Sequence, residues 1–130
     1  RFFGWYEGRH IDTTAFEQEM NRRGIKLSKE QLDFFAEFSG LYFSFDRDFW
    51  SFDSLEEILT KSEYYAEPFP NDVKSPYKII YCGNTMGGPL AVAPNGIINF
   101  FWGFPQGRTT MECINNLCES VNKDYKWLAP

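Results

Sequence analysis

The segment YKIIYCGNTMGGPLAVAPNGIINFFW, residues 77–102, decides the fold of this chain. It contains three short apolar runs, at residues 77–82, 90–93 and 97–102, which are rich in β-branched and aromatic side chains. Glycine and proline separate the first two runs, and runs of this length bounded by turn residues are typical of β-strands. Asn95-Gly96 between the last two runs predicts a type I′ hairpin turn, because that turn needs φ > 0 at both central positions. We therefore expect an antiparallel meander at the centre of the fold.

Helices are predicted around this meander from capping boxes, in which a Ser or Thr is followed three residues later by Glu or Gln. The four boxes begin at Thr14, Ser28, Ser54 and Thr109. The predicted helices cover about 14–23, from Ser28 to Gly40, about 54–66 and about 110–122. The short link between the first two predicts an αα-hairpin.

The remaining segments complete a single-domain prediction. Residues 41–45 are aromatic-rich and predict a strand, residues 46–52 a loop, and residues 69–76 an extended linker. At 130 residues the chain has the length of one domain. The predicted fold is an α+β single domain, 1–130, whose antiparallel meander sheet is packed by N-terminal, middle and C-terminal helices. Because the chain begins with the apolar residues 2–5 directly after Arg1, we expect a short N-terminal segment to be missing.

Composition restricts the class of protein. Aromatic residues make up 19% of the chain, and 14 residues are Phe, so we expect a core built from large rings. No apolar run approaches the roughly 18 residues of a membrane span, which predicts no membrane partner. The three cysteines, Cys82, Cys113 and Cys118, are an odd and sparse set. Such a set favours buried thiols in a reducing compartment over disulfides or a metal site.

The charge of the chain is concentrated in one segment. The formal net charge is −5, and residues 41–72 contain eight acidic and two basic side chains. The remaining residues sum to +1. An acidic surface of this kind repels nucleic acid and attracts a basic protein.

Few residue patterns indicate catalysis. His10 is the only histidine, which excludes a zinc site that needs two, although a Cys–His pair remains open. The glycines of 83–88 precede a predicted strand rather than a helix, so they indicate a turn and not a phosphate loop. Asp46 and Asp48 could form a solvated loop, a protein-binding surface or, as a third alternative, a catalytic or metal site. We expect no catalytic residue, cofactor or metal ion.

A protein-binding surface is the prediction that we follow. Trp50, flanked by Asp48 and Asp53, resembles an aromatic interface anchor with a charged rim. The alternative is that Trp50 packs into the core. The candidate partner-binding residues are Asp46, Asp48, Trp50, Asp53, Glu56 and Glu57.

Several stretches resemble one family, in an order that covers nearly the whole chain. GWYEGR at 4–9 resembles the Gly-Trp-aromatic-x-Gly-Arg opening of the SUKH-type immunity proteins, in their third subfamily. A capped helix, a Phe-rich helix and an acidic helix follow in similar order. The stretch LAVAPNGI at 90–97 is similar to that family's hairpin, although the turn here is Asn-Gly instead of the commoner acid-Gly.

The resemblance implies a bacterial immunity protein of the cytoplasm. Such a protein binds and neutralises a cognate polymorphic toxin domain, often a nuclease, and is not an enzyme. The alternatives are a scaffold or regulatory protein-interaction module and a small enzyme that uses carboxylates. The identity of the toxin and the oligomeric state are left open by the sequence.

Overall fold

The computed structural model describes residues 5–45, 48–61, 67–68, 77–100 and 104–121. Within these ranges the helices are α1 Thr14–Arg22, α2 Lys29–Phe38, α3 Leu55–Thr60 and α4 Thr110–Val121. The strands are β1 Tyr42–Phe45, β2 Asp48–Phe52, β3 Glu67–Pro68, β4 Lys78–Thr85, β5 Gly88–Val92, β6 Ile98–Phe100 and β7 Phe104–Pro105. The predicted α+β fold with an antiparallel sheet is confirmed.

The sheet is built around β4. The strand order is β1-β2-β4-β5-β6-β7, and β3 pairs with β4 outside this path. All of these pairings are antiparallel, so the predicted meander is present as β4, β5 and β6. Of the predicted third run, residues 101 and 102 lie outside the described residues.

Strand β4 continues past Gly83, where the sequence indicated that a run ends. Tyr81 pairs with Ala91 and Gly83 pairs with Leu90, so the register shifts by one residue at a bulge. A Cβ atom at Gly83 would lie 1.9 Å from the carbonyl oxygen of Ser51 on β2. Glycine is required here because two backbones approach closely, and not because the chain turns.

The β5–β6 turn differs from the predicted type I′ turn. The Gly96 amide donates to the Ala93 carbonyl at 2.8 Å, and the Ala93 amide donates to the Ile97 carbonyl at 2.9 Å. The turn is therefore centred on Pro94-Asn95, and proline cannot adopt φ > 0. Gly96 follows with φ of 84°, which is the pattern of a three-residue hairpin loop.

The predicted loop at 46–52 is also wrong over most of its length, because Asp48–Phe52 form strand β2. Phe43 pairs with Trp50 in the β1–β2 hairpin. Trp50 and Phe52 alternate with Phe49 and Ser51, and this period of two places both rings on the core side.

Helix starts were predicted with mixed success. The capping boxes at Ser28 and Ser54 are present, with reciprocal side-chain and backbone hydrogen bonds. At α1 the Thr14 amide instead donates to the Asp12 carboxylate at 2.9 Å, so the predicted box there is wrong. At α4 the Glu112 amide donates to the Thr109 hydroxyl. The Glu112 carboxylate, however, accepts a hydrogen bond from the backbone amide of Arg108, not from that of the predicted cap Thr109.

Helix α3 is shorter than predicted. It ends at Thr60, and Lys61 leaves the helical conformation with φ of −101° and ψ of 63°. The rest of the predicted helix, 62–66, lies outside the described residues, as does the predicted linker 69–76. Gly24, by contrast, has φ of 84° after α1, as expected of a helix-ending glycine.

The main core lies between one face of the sheet and the helices, and it is aromatic as predicted. Phe16 of α1 packs edge-on against Phe35 of α2, with ring centroids 5.0 Å apart. Phe34 of α2 packs edge-on against Phe52 of β2 at the same centroid distance. Such pairs add about 0.5–1.5 kcal/mol beyond the burial of their surface. Among the described helices, none has the length and apolar character needed to cross a bilayer.

Candidate functional site

Trp5 and Arg9 of the opening motif hold the N-terminal segment against the end of helix α2. The Arg9 guanidinium donates to the carbonyl oxygens of Glu37 and Ser39, the latter at 2.8 Å. The Trp5 indole N–H donates to the Glu37 carboxylate at 2.9 Å. The last carbonyl groups of a helix have no intrahelical hydrogen-bond donor, and they carry partial negative charge. The Arg9 guanidinium supplies both hydrogen-bond donors and a positive charge. The most specific part of the family resemblance thus has a structural role in this chain.

The predicted partner-binding residues do not form one surface. Asp48 begins β2 and Asp53 follows its last residue, so about 17 Å of extended strand separates their backbones. Asp46 lies outside the described residues. Asp48 is half-buried, and its carboxylate accepts a hydrogen bond from the Phe49 amide.

Trp50 is not a surface anchor, which corrects the prediction. Its side chain is 0% exposed. The ring centroid lies 5.9 Å from that of Phe43 and 4.9 Å from that of Phe52. Burial raises the pKa of the Cys118 thiol on α4 to about 12, and the interaction of that thiol with Trp50 is a smaller effect that lowers the pKa. Trp50 therefore packs between the β1–β2 hairpin and α4.

Asp53 is also buried, at 7% exposure, so its assignment to a partner surface is wrong. Its Oδ2 atom accepts from Lys61 Nζ at 2.6 Å and from the Tyr81 hydroxyl at 2.8 Å. The same hydroxyl accepts from Lys61 at 3.0 Å and from the Asn84 amide at 2.6 Å. We call these four residues the Asp53 network.

The pKa values of the Asp53 network favour the protonated forms of Tyr81 and Lys61, which donate its hydrogen bonds. Burial is the main cause that raises the pKa of Tyr81 to about 12, so its hydroxyl stays protonated as a donor. The hydrogen bond to Asp53 raises the pKa of Lys61 well above its ordinary value. The network ties the end of α3 to strands β2 and β4, because Lys61 follows the last residue of the helix.

Glu56 and Glu57 are the predicted acids that the structure leaves exposed. Hydrogen bonding to the Ser54 backbone lowers the pKa of Glu57, which keeps this carboxylate ionised. Helix α3 is held in place by burial of Ile58 and by a 2.9 Å hydrogen bond from Arg23, the residue after α1, to the Leu59 carbonyl. The two acids are therefore presented on a short helix that is fixed at both ends.

Sequence reasoning missed a second acidic feature, on helix α2. Glu30, Asp33 and Glu37 line part of a groove of about 210 Å³. The other residues that line it are Phe34, Phe38, Asn95, Thr110 and Met111. The three acids follow helical spacing, i, i+3 and i+7, so the sequence did carry a signal for one acidic face. We call this feature the α2 groove.

A second hollow, of about 290 Å³, lies beside the β4–β5 turn. Its lining residues are Asp48, Phe49, Thr85, Met86, Gly87, Phe100, Gln106, Leu117 and Ser120. Asp48 is the one predicted binding residue on this wall, and its carboxylate bonds to its own neighbour.

The cysteines are buried thiols, as predicted from their number and spacing. Cys82, Cys113 and Cys118 are free and buried, and burial raises the pKa of each. His10 is exposed, which separates it from these buried thiols and removes the Cys–His pairing that the sequence left open.

Comparisons of this chain with protein-family models, with curated proteins and with solved structures give no match.

Proposed function

We propose that this protein is a non-enzymatic bacterial immunity protein that binds and neutralises a cognate polymorphic toxin domain in the cytoplasm. The observation that carries the proposal is the exposed acidic pair Glu56 and Glu57 on helix α3. Both ends of this helix are fixed, by the Ser54 capping box and by Lys61. A rigid, charged surface element loses little conformational entropy on association, which favours tight binding to a protein partner.

The charge of the chain supports a basic toxin. The net charge is −5, and the acidic excess lies in the segment that contains α3. Opposite charge on the partner would accelerate association and orient the two proteins. A nuclease toxin fits this chemistry, because surfaces that bind nucleic acid are basic. An acidic protein seated on such a surface would exclude the nucleic acid.

The resemblance to SUKH-type immunity proteins supports the same proposal. Trp5 and Arg9 of the opening motif fix the N-terminal segment on α2. The predicted order of helices and meander strands is present. Trp5 and Arg9 therefore explain the presence of the motif by its contribution to the fold. The surface that binds the toxin is expected to lie outside the motif and to vary from one such protein to another.

The electrostatic part of the proposal is tested with a variant in which both α3 acids are neutralised, Glu56→Gln and Glu57→Gln. Gln at position 57 still completes a capping box, so α3 is expected to remain folded. Association with the cognate toxin domain, once a pull-down from the native host has identified it, should slow by roughly threefold to tenfold at low salt. At about 1 M salt the difference should disappear, because the Debye length falls to about 3 Å.

The matched control combines Glu7→Gln with Glu119→Gln, which removes two exposed charges outside α3. It should leave the association rate close to that of the wild type. Equal slowing by the control and the α3 variant would show that only net charge matters and would contradict a specific role for α3. Binding of the toxin without loss of its activity would instead favour the scaffold or regulatory module.

A further inference from the structure

Strand β1 is an open edge of the sheet. It stands at one end of the strand order, and among the described strands it pairs with β2 alone. The Phe52 amide donates to the Leu41 carbonyl at 2.7 Å, so the backbone groups of Leu41 face β2. Because these groups alternate in direction along a strand, those of Phe43 also face β2, and those of Tyr42 and Ser44 point away from the sheet. In the described part of the chain no hydrogen bond is made to these outward groups.

The other terminal strands carry protection against the addition of a further strand, and β1 does not. Strands β3 and β7 are two residues long, and each contains a proline, Pro68 or Pro105. Proline lacks the amide donor of a ladder, and proline, charge and shortness are means by which proteins prevent edge-to-edge pairing. Strand β1 has the sequence YFSF, without proline or charge, and it pairs with β2 in continuous register without a bulge. Strand addition is therefore expected at β1.

We infer that the β1 edge binds the β1 edge of a second copy of this chain, as an antiparallel pair that joins the two sheets. With a two-fold axis at Phe43, Tyr42 of one copy lies opposite Ser44 of the other. The outward amide and carbonyl groups of each such pair then exchange both of their hydrogen bonds. A partner strand must present outward groups at the same spacing, and a second copy presents them by symmetry.

The surroundings of β1 leave this approach open. The side chains of Tyr42 and Ser44 are exposed, and that of Tyr42 is 54% exposed. Directly opposed Cβ atoms in an antiparallel pair lie about 4.5–5.5 Å apart, so the Tyr42 ring would cover Ser44 of the second copy. Phe43 is buried, and its ring centroid lies 5.9 Å from that of Trp50. The edge is thus fixed in position before the second copy arrives, which lowers the entropic cost of association.

The small size of the contact predicts a weak dimer. A single edge pair of four residues buries less than the roughly 1,200 Å² at which stable interfaces begin. We therefore expect a dissociation constant between about 10 µM and about 1 mM. The inference is independent of the proposed function, because α3, which carries Glu56 and Glu57, is not part of the β1 edge.

The inference is tested on the full chain by sedimentation and by NMR, from about 10 µM to about 2 mM protein. At the lowest concentration the amide protons of Tyr42 and Ser44 should exchange rapidly with solvent, whereas that of Phe43 should be protected. As the concentration rises, the mean mass should approach that of a dimer, and the Tyr42 and Ser44 amides should become protected. In a mixture of isotope-labelled and unlabelled chains, an NOE is expected between the Hα atoms of Phe43 in the two copies, because these atoms face each other across the axis.

The variant that blocks the edge is Ser44→Pro. It removes an outward amide that makes no bond to β2, so the monomer should still fold, and the dispersion of the amide spectrum checks this. Dimerisation should weaken by at least about tenfold. The matched control is Ser44→Thr, which keeps the amide and should dimerise within about twofold of the wild type.

Three results would overturn the inference. The first is a chain that stays monomeric at about 2 mM, or a dimer whose amide changes lie outside residues 41–45. The second is protection of the Tyr42 and Ser44 amides at the lowest concentration, which would show that the edge is covered within one chain. The third is a folded Ser44→Pro variant that dimerises like the wild type. If this variant does not fold, the exchange and NOE data of the wild type decide the question.

Discussion

Replacement of Asp53 by Asn should destabilise the protein without touching an exposed surface. Asp53 Oδ2 accepts hydrogen bonds from Tyr81 at 2.8 Å and from Lys61 at 2.6 Å. Hydrogen bonds to a charged group contribute about 1.5–3 kcal/mol and neutral ones about 1 kcal/mol. The buried bond from Tyr81 should therefore lose about 1.5 kcal/mol on substitution. The Lys61 side chain is 37% exposed, so water compensates for much of the weakened hydrogen bond between Lys61 and residue 53. The weakening of this bond should therefore cost only about 0.5 kcal/mol.

The expected fall in the free energy of unfolding is therefore about 2 kcal/mol. Urea denaturation followed by tryptophan fluorescence measures it, because Trp50 is buried in the core. With a slope of about 2 kcal/mol per molar urea, the midpoint should fall by about 1 M. The matched control is Glu56→Gln on exposed α3, which should change the free energy by less than about 0.5 kcal/mol. Equal stability of the Asp53 and Glu56 variants would refute the assignment of Asp53 to the interior.

Two further perturbations test the fold. Gly83→Ala should cost about 3 kcal/mol or more in the free energy of unfolding, because its Cβ would lie 1.9 Å from the Ser51 carbonyl and backbone must move. Raising the pH should remove the contribution of Tyr81, whose pKa is raised to about 12 in the folded state. That contribution is complete below the ordinary value near 10 and is lost as the pH rises through 12.

Each of these two perturbations has its own control. Gly87→Ala places a Cβ atom 3.2 Å from the end of the Phe100 ring, which can shift, so it should cost less than about 1 kcal/mol. A Gly83 variant as stable as the Gly87 variant would contradict the close approach of β4 and β2. For the pH dependence, the stability gap between the wild type and Tyr81→Phe should narrow above pH 10. A constant gap up to pH 12 would show that the hydroxyl titrates normally.

Local signals in the sequence predicted much of the fold. The boxes at Ser28 and Ser54 predicted helix starts because the capping residues and the helix they cap are adjacent in the chain. The meander followed from short apolar runs separated by turns. Strand β2 was missed because charged residues surround it, although Trp50 and Phe52 already showed the period of two. The role of Gly83 depends on Ser51, a residue of another strand, and no local pattern indicates that approach.

The candidate site was less predictable because burial is decided by residues distant in sequence. Asp53 is internal since Tyr81, 28 residues away, comes to its carboxylate. Trp50 is covered by contacts that include Cys118 of the last helix. The acidic face of α2 could have been found from its spacing. Its groove, however, exists because the β5–β6 turn and the start of α4 lie beside it.

The central claim, that the protein neutralises a toxin by binding it, is tested most directly by a titration of toxin activity. The cognate toxin domain, identified by pull-down from the native host, is assayed on its own substrate while increasing amounts of this protein are added. We expect activity to fall linearly and to vanish when the two proteins are equimolar, as tight stoichiometric occlusion requires. Toxin activity that is unchanged by an excess of this protein would contradict the claim.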